Sequence, residues 1–195
     1  MNKPLALPGL LMLPALIGAT DSWVKALGMA LCFLLLMTLY GIGMRLLRSR
    51  QGAGRQHLLA SLLLGASLGS CLWLAVQAWS YELHQQLGLY LAVLPLQCVV
   101  MEQAGFFQRS DRWRLGIAFC STLIVLGALR ELLGTGALGS HLGWLMGLDD
   151  AGSGWVLLPD GGLRLLTLAP GGFILLGLLL AAQRAWSLNR SPSRK

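Results

Sequence analysis

The chain contains the apolar stretch LLASLLLGASLGSCLWLAVQAW at residues 58–79, which has no charged side chain. A helix that crosses the hydrocarbon core of a bilayer needs about 20 apolar residues, so this stretch predicts a transmembrane helix. Further apolar runs lie on either side of it, at about 5–19, 26–44, 87–101, 115–133 and 165–182. The sequence therefore predicts an all-α integral membrane protein, with six transmembrane helices in a single domain that covers residues 1–195.

Composition excludes most other classes of protein. The chain is 55% hydrophobic and 12% charged, with a mean hydropathy of +0.66, whereas about a quarter of the residues of a soluble domain are charged. The net charge of +7 is spread over several loops beside the apolar runs. This distribution is typical of membrane sidedness and not of a nucleic-acid footprint. We expect the lipid bilayer, and no nucleic acid, as a partner.

The basic residues alternate between the gaps that separate the six runs. Twelve of the 15 Lys and Arg residues lie in the even-numbered gaps and at the termini. These are Lys3, Arg45, Arg48, Arg50, Arg55, Arg109, Arg112, Arg114, Arg184, Arg190, Arg194 and Lys195. Cytoplasmic loops retain Lys and Arg. The pattern predicts a multi-pass protein of the bacterial inner membrane with both termini in the cytoplasm, including a basic tail at 187–195.

The first and fourth runs are short, and each contains an interior proline, Pro14 and Pro95. Short, proline-interrupted segments at corresponding positions of two halves indicate an inverted repeat with broken helices. We therefore expect a 3+3 inverted repeat whose first and fourth spans are short or broken. Two intact helices that tolerate proline are the alternative. For the first run, Lys3 and the apolar stretch up to residue 19 also allow a cleaved secretory signal.

Few residues offer chemistry. The chain has no P-loop, no HExxH and no haem-attachment motif, and its four cysteines show no CxxC spacing. Cys98 follows Pro95 by three positions, where a thiolate could bind iron or an iron–sulfur cluster. The alternative is a small apolar packing residue. Arg130 and Glu131 lie at the outer end of the fifth span, where ionisable residues are costly and often functional. They are candidates for a structural role or a subunit contact.

Two stretches of the second half carry a family resemblance. IVLGALRELLGTGAL (124–138) and LAPGGFILLGLLLAA (168–182) resemble the family of E subunits of the Rnf (Rsx) electron-transport complex. LHQQLGLYLAVLPLQCVV (83–100) and DRWRLGIAFC (111–120) fit the same pattern. The resemblance implies a membrane subunit of an ion-translocating oxidoreductase complex, which couples electron transfer to ion transport and is not catalytic alone. Its expected partners are the other subunits of the complex, above all a homologous six-helix subunit of opposite orientation.

The resemblance also implies a cofactor. In the family, cysteines of the first and fourth spans and those of the partner hold a shared [2Fe–2S] cluster, and Cys98 matches the fourth-span ligand. No flavin is expected on this chain. The first span has no cysteine, and Leu13 or Pro14 occupies the position where the family has one. Three hypotheses therefore stay open: a cluster-holding subunit, a structural subunit of the complex without metal, and a small solute permease.

Overall fold

The computed structural model describes residues 17–48, 55–108, 112–139, 155–156, 162–166 and 168–189. Within these ranges the chain forms five α-helices: α1 (Trp23–Arg48), α2 (Arg55–Trp79), α3 (Tyr81–Gln103), α4 (Arg112–Thr135) and α5 (Ala169–Asn189). Short 3-10 helices cover Ile17–Thr20, Phe106–Gln108 and Arg164–Leu166. The strands are β1 (Ala137–Leu138) and β2 (Trp155–Val156), which pair antiparallel over two residues. The prediction of an all-α membrane protein is confirmed.

Four helices are long and apolar enough to span a bilayer, and they fall on the second to fifth predicted spans. They are Trp23–Leu47, Gln56–Trp79, Tyr81–Gln103 and Arg112–Thr135. The sixth predicted span lies in α5, which has a shorter apolar stretch, Ala169–Ala182. The first predicted span, 5–19, lies outside the described residues except for its last three. Six spans and an inverted repeat therefore stay predictions.

Helix α1 has one face in the protein core and one face suited to lipid. Its buried large side chains recur every three or four residues: Met29, Phe33, Leu36, Tyr40 and Met44. The opposite face presents Leu31, Leu35, Leu39, Ile42 and Leu46, which are 44% to 67% exposed. A continuous exposed apolar face of this kind is unfavourable in water but is compatible with a hydrocarbon environment.

The helices pack chiefly as two pairs, α1 with α4 and α2 with α3. Between α1 and α4, the rings of Phe33 and Phe119 lie 4.8 Å apart between centroids. Nearer the start of α1, Gly127 of α4 allows close approach, because a Cβ there would lie 2.6 Å from the Cβ of Ala26. Small residues permit such backbone contact in membrane bundles. Helices α2 and α3 are joined by Ser80 alone.

The expectation of a short or broken fourth span is wrong, because α3 is one continuous helix, Tyr81–Gln103. The helix is longer than expected because its polar first residues lie before the apolar run 87–101 from which the span was predicted. Ser80 caps the helix by accepting a hydrogen bond from Leu83 N at 3.3 Å. Pro95 lies inside the helix, and its ring packs over Gly69 of α2, where a Cβ would collide with it. Membrane helices tolerate proline when neighbouring helices pack around it.

Candidate functional site

The most extensive polar cluster in the described part of the chain is centred on Arg130, near the end of α4. The Arg130 side chain is buried, with 1% of the residue exposed. Its Nη1 donates to Thr20 Oγ1 at 3.1 Å. Its Nε donates to the carbonyl of Leu166 at 3.1 Å, and its Nη2 donates to that of Leu168 at 3.2 Å. One guanidinium therefore joins α4 to the segments that precede α1 and α5.

Glu131 binds a different neighbour, because adjacent helical residues point about 100° apart. Its Oε2 accepts hydrogen bonds from Trp23 N at 2.7 Å and from Ser22 Oγ at 3.3 Å. The first N–H groups of a helix have no partner within that helix, and a carboxylate there is stabilised by the helix dipole. Glu131 therefore caps α1 from another helix. We call Arg130, Glu131 and these partners the Arg130–Glu131 clamp.

The start of α1 is also tied to α3. Lys25 Nζ donates to Asp21 Oδ2 at 2.9 Å and to Gln86 Oε1 at 2.9 Å. The Asp21–Lys25 spacing of four residues is a sequence signal for such a pair, whereas Gln86 has no signal in the sequence. Together with the clamp, this contact links α1, α3 and α4 through polar side chains at one end of the bundle.

Cys98 lies in the apolar core of the subunit. None of its surface is exposed, and it belongs to the same buried cluster as Tyr40 and Leu94. Cys32 and Cys120 are buried as well, and the Cys120 thiol lies 3.7 Å from the carbonyl of Ala30. Among the described residues, no three His, Cys, Asp or Glu side chains are grouped so as to hold a metal ion.

These positions do not fit the shared iron–sulfur cluster implied by the resemblance. A cluster between two subunits needs thiolates that reach the surface facing the partner. Cys98 is enclosed within its own subunit, and the first run of the sequence supplies no cysteine. The donor set of this chain is therefore unsuitable for that cluster.

Sequence reasoning missed a second buried polar contact, at the opposite end of the bundle. The side chain of Glu102, in the last turn of α3, has no exposed surface. Its Oε1 lies 3.3 Å from Nε2 of His57, in the first turn of α2. Nearby in α2, the carbonyl of Ser61 accepts from the hydroxyl of Tyr40 at 3.5 Å. An acidic residue at the end of an apolar run was the available signal.

The apolar outer faces and the polar contacts at the two ends define an α-helical, multi-pass membrane protein. Its described polar side chains at these ends hold the helices of the bundle together. Residues 2–180 match the model of a family described as "Rnf-Nqr subunit, membrane protein". The chain belongs to this family.

Curated relatives agree with this assignment. A protein of Pseudomonas aeruginosa (strain UCBPP-PA14) is 36% identical over 92% of this chain and 79% of its own length. One from Cellvibrio japonicus (strain Ueda107) is 33% identical over 100% of this chain and 86% of its own length. One from Rhodobacter capsulatus is 31% identical over 85% of this chain and 71% of its own length. Each is named as the E subunit of an ion-translocating oxidoreductase complex.

Proposed function

We propose that this chain is a membrane subunit of an ion-translocating oxidoreductase complex, in the position of the E subunit. The observation that carries the proposal is the similarity to proteins of that name over 92% of the chain. Because the similarity extends over nearly the whole chain, it includes the helices of the bundle and the clamp between them. The chain works within the complex, where other subunits carry out the reactions that oxidise and reduce substrates.

The charge pattern supports a placement in the inner membrane with both termini in the cytoplasm. In this orientation the Arg130–Glu131 clamp lies at the outer end of the bundle, and His57 and Glu102 lie at the cytoplasmic end. A homologous subunit inserted in the opposite orientation is the partner we expect. The two would then form a pseudo-symmetric pair.

Within the complex, the described helices of this subunit contribute a packed apolar core between two polar ends. Between its two polar ends the core is built from side chains such as Leu36, Leu91 and Leu123, all at most 2% exposed. Such an interior excludes water and ions. The clamp fixes the outer ends of the helices relative to one another, so a partner meets a surface of defined shape.

The groove in the described part of the chain does not favour the permease hypothesis, because it offers no charged group to bind a polar solute. This groove has a volume of about 610 Å³ and lies between α2 and α3. Its walls include Gly65, Gly69, Ala92 and Leu96, and no charged side chain lines it. A transporter that binds a polar solute needs polar groups or helix ends at the binding site, whereas the Ser70 hydroxyl on this groove already donates to the carbonyl of Ala66 in its own helix.

Affinity purification from the membranes of the bacterium that carries this chain tests the proposal. The chain is given a small tag at its C-terminus, extracted in a mild detergent and purified, and its partners are identified by mass spectrometry. We expect the other subunits of an ion-translocating oxidoreductase complex in fixed ratio. A tagged membrane protein of unrelated function, purified in parallel, controls for adhesion. Recovery of the chain alone would contradict the proposal.

A further inference from the structure

We propose that this chain supplies no ligand to an iron–sulfur cluster, and that Cys98 is a packing residue of its core. The inference rests on the proposed function for its context, since it concerns a subunit within a redox complex. It assigns to this chain a metal-free place in the assembly, and with it a role carried by helix packing alone.

Cys98 is not accessible to a metal that is shared with a neighbouring subunit. A metal shared between two subunits must be reached by sulfur atoms at the surface where they meet. The Cys98 residue has no exposed surface in the isolated subunit. Its helix is continuous through Pro95, so no break in the backbone turns this side chain toward a neighbouring subunit. A ligand role would require α3 to rotate or unwind.

The apolar surroundings of Cys98 do not favour the negative charge that ligation of a cluster would bring. A [2Fe–2S] cluster held by four thiolates carries a net negative charge, and such a charge in an apolar core is unfavourable without hydrogen-bond donors around it. Cys98 is surrounded by the apolar core cluster. Glu102 follows it by four residues, which places the two side chains on the same face of α3. A second negative charge on this face is disfavoured, whereas a neutral thiol packs as a small apolar group.

The runs that would hold the cluster contain too few cysteines. Cys98 is the one cysteine of its run, and the first run of the chain has none. Cys32 and Cys120 are buried on α1 and α4. No described group of three His, Cys, Asp or Glu residues could bind a metal. The first and fourth runs together therefore offer one thiol, that of Cys98, where a shared [2Fe–2S] cluster would need a pair from each subunit.

The test compares Cys98→Ala with the wild-type chain, each expressed with its natural neighbours and purified through a tag on the chain. Iron and acid-labile sulfide are measured per tagged chain, and low-temperature EPR spectra of the reduced samples are recorded. We expect equal iron, equal sulfide and the same spectrum. The matched control is Cys120→Ala, which removes a thiol of equal size from the same core.

Loss of about two irons per tagged chain and of one EPR signal in Cys98→Ala, but not in Cys120→Ala, would overturn the inference. If Cys98→Ala is not recovered, Cys98→Val, which keeps an apolar side chain of similar size, replaces it with the same expected result. The neighbours recovered with the wild-type chain are scored on the same samples. Their absence would contradict the proposed function, while the iron content of the tagged chain would still decide on Cys98.

Discussion

The Nη1 atom of Arg130 lies 3.1 Å from the hydroxyl oxygen of Thr20, 110 residues earlier in the chain. This contact joins the end of α4 to the residues that lead into α1. Both residues are buried, and the same guanidinium also binds the two carbonyls before α5. The start of α1, the end of α4 and the start of α5 are therefore held together by one side chain.

Replacing Arg130 by Met should destabilise the subunit strongly. The apolar side chain keeps similar length but leaves Thr20 and the carbonyls of Leu166 and Leu168 without their donor. Thr20 is fully buried, whereas the contacts to the two carbonyls are part-buried. An unsatisfied buried group costs about 1–3 kcal/mol, so we expect a loss of about that size in the free energy of unfolding. Thermal unfolding of the purified subunit in detergent measures the change. Arg114→Met, at an exposed position of the same helix, is the control, and equal losses in both would contradict the clamp.

Two substitutions of Glu131 should separate its charge from its hydrogen bonds. Glu131→Gln keeps an oxygen that can accept from Trp23 N but removes the charge at the start of α1, which is worth about 0.3–1 kcal/mol. Glu131→Ala also leaves the part-buried N–H of Trp23 without this acceptor, which costs about 1 kcal/mol more. We expect the melting temperature to fall in the order wild type, Gln, Ala. Equal melting temperatures for Gln and Ala would show that Glu131 does not cap α1.

The contact between Gly69 and Pro95 should appear as coupling in a double-mutant cycle. Gly69→Ala places a methyl group against the ring of Pro95, and overpacking of this kind costs about 1–3 kcal/mol. Pro95→Ala removes most of the ring, so Gly69→Ala should cost much less in that background. Unfolding free energies of the two single variants and the double variant give the coupling. Additive effects would mean that the two residues do not touch.

The close approach of α1 and α4 predicts a similar contrast between two glycines. At Gly127 an added methyl group would meet the Cβ of Ala26 at 2.6 Å, so Gly127→Ala should cost about 1–3 kcal/mol. At Gly177 of α5 an added Cβ meets nothing within 4 Å, so Gly177→Ala should leave stability unchanged or slightly raised, because alanine favours helix. The measurement is the same thermal unfolding. A larger loss for Gly177→Ala would contradict the packing of α1 on α4.

Much of the bundle could be predicted from apolar runs alone, because a span needs a length of charge-free sequence and little else. The start of α3 could not be predicted from apolar runs. Residues 82–86 read ELHQQ, which no hydropathy pattern assigns to a span, yet Ser80 caps the helix there and Gln86 binds Lys25. A proline in a short run predicts a break in the helix, whereas the packing of Pro95 on Gly69 is a tertiary contact that the sequence of one helix does not contain.

The candidate site divides in the same way. Arg130 and Glu131 could be singled out because ionisable residues at membrane depth are rare. Their partners could not, since Thr20 and Trp23 lie more than a hundred residues away in sequence and bind through a hydroxyl and a backbone N–H. The contact of His57 with Glu102 could not be predicted either, because Glu102 at the end of an apolar run gives a signal by itself, but nothing in the sequence marks His57 as its partner. It is visible only when α2 and α3 lie side by side.

The mass of the complex in a strain without this chain tests most directly whether the chain is a subunit of an ion-translocating oxidoreductase complex. The complex is isolated through a tag on a different subunit, from a strain that lacks this chain and from the same strain carrying it on a plasmid. Native gel electrophoresis compares the two. We expect a complex of full mass only when the chain is present. A complex of unchanged mass and composition from the strain without the chain would contradict it.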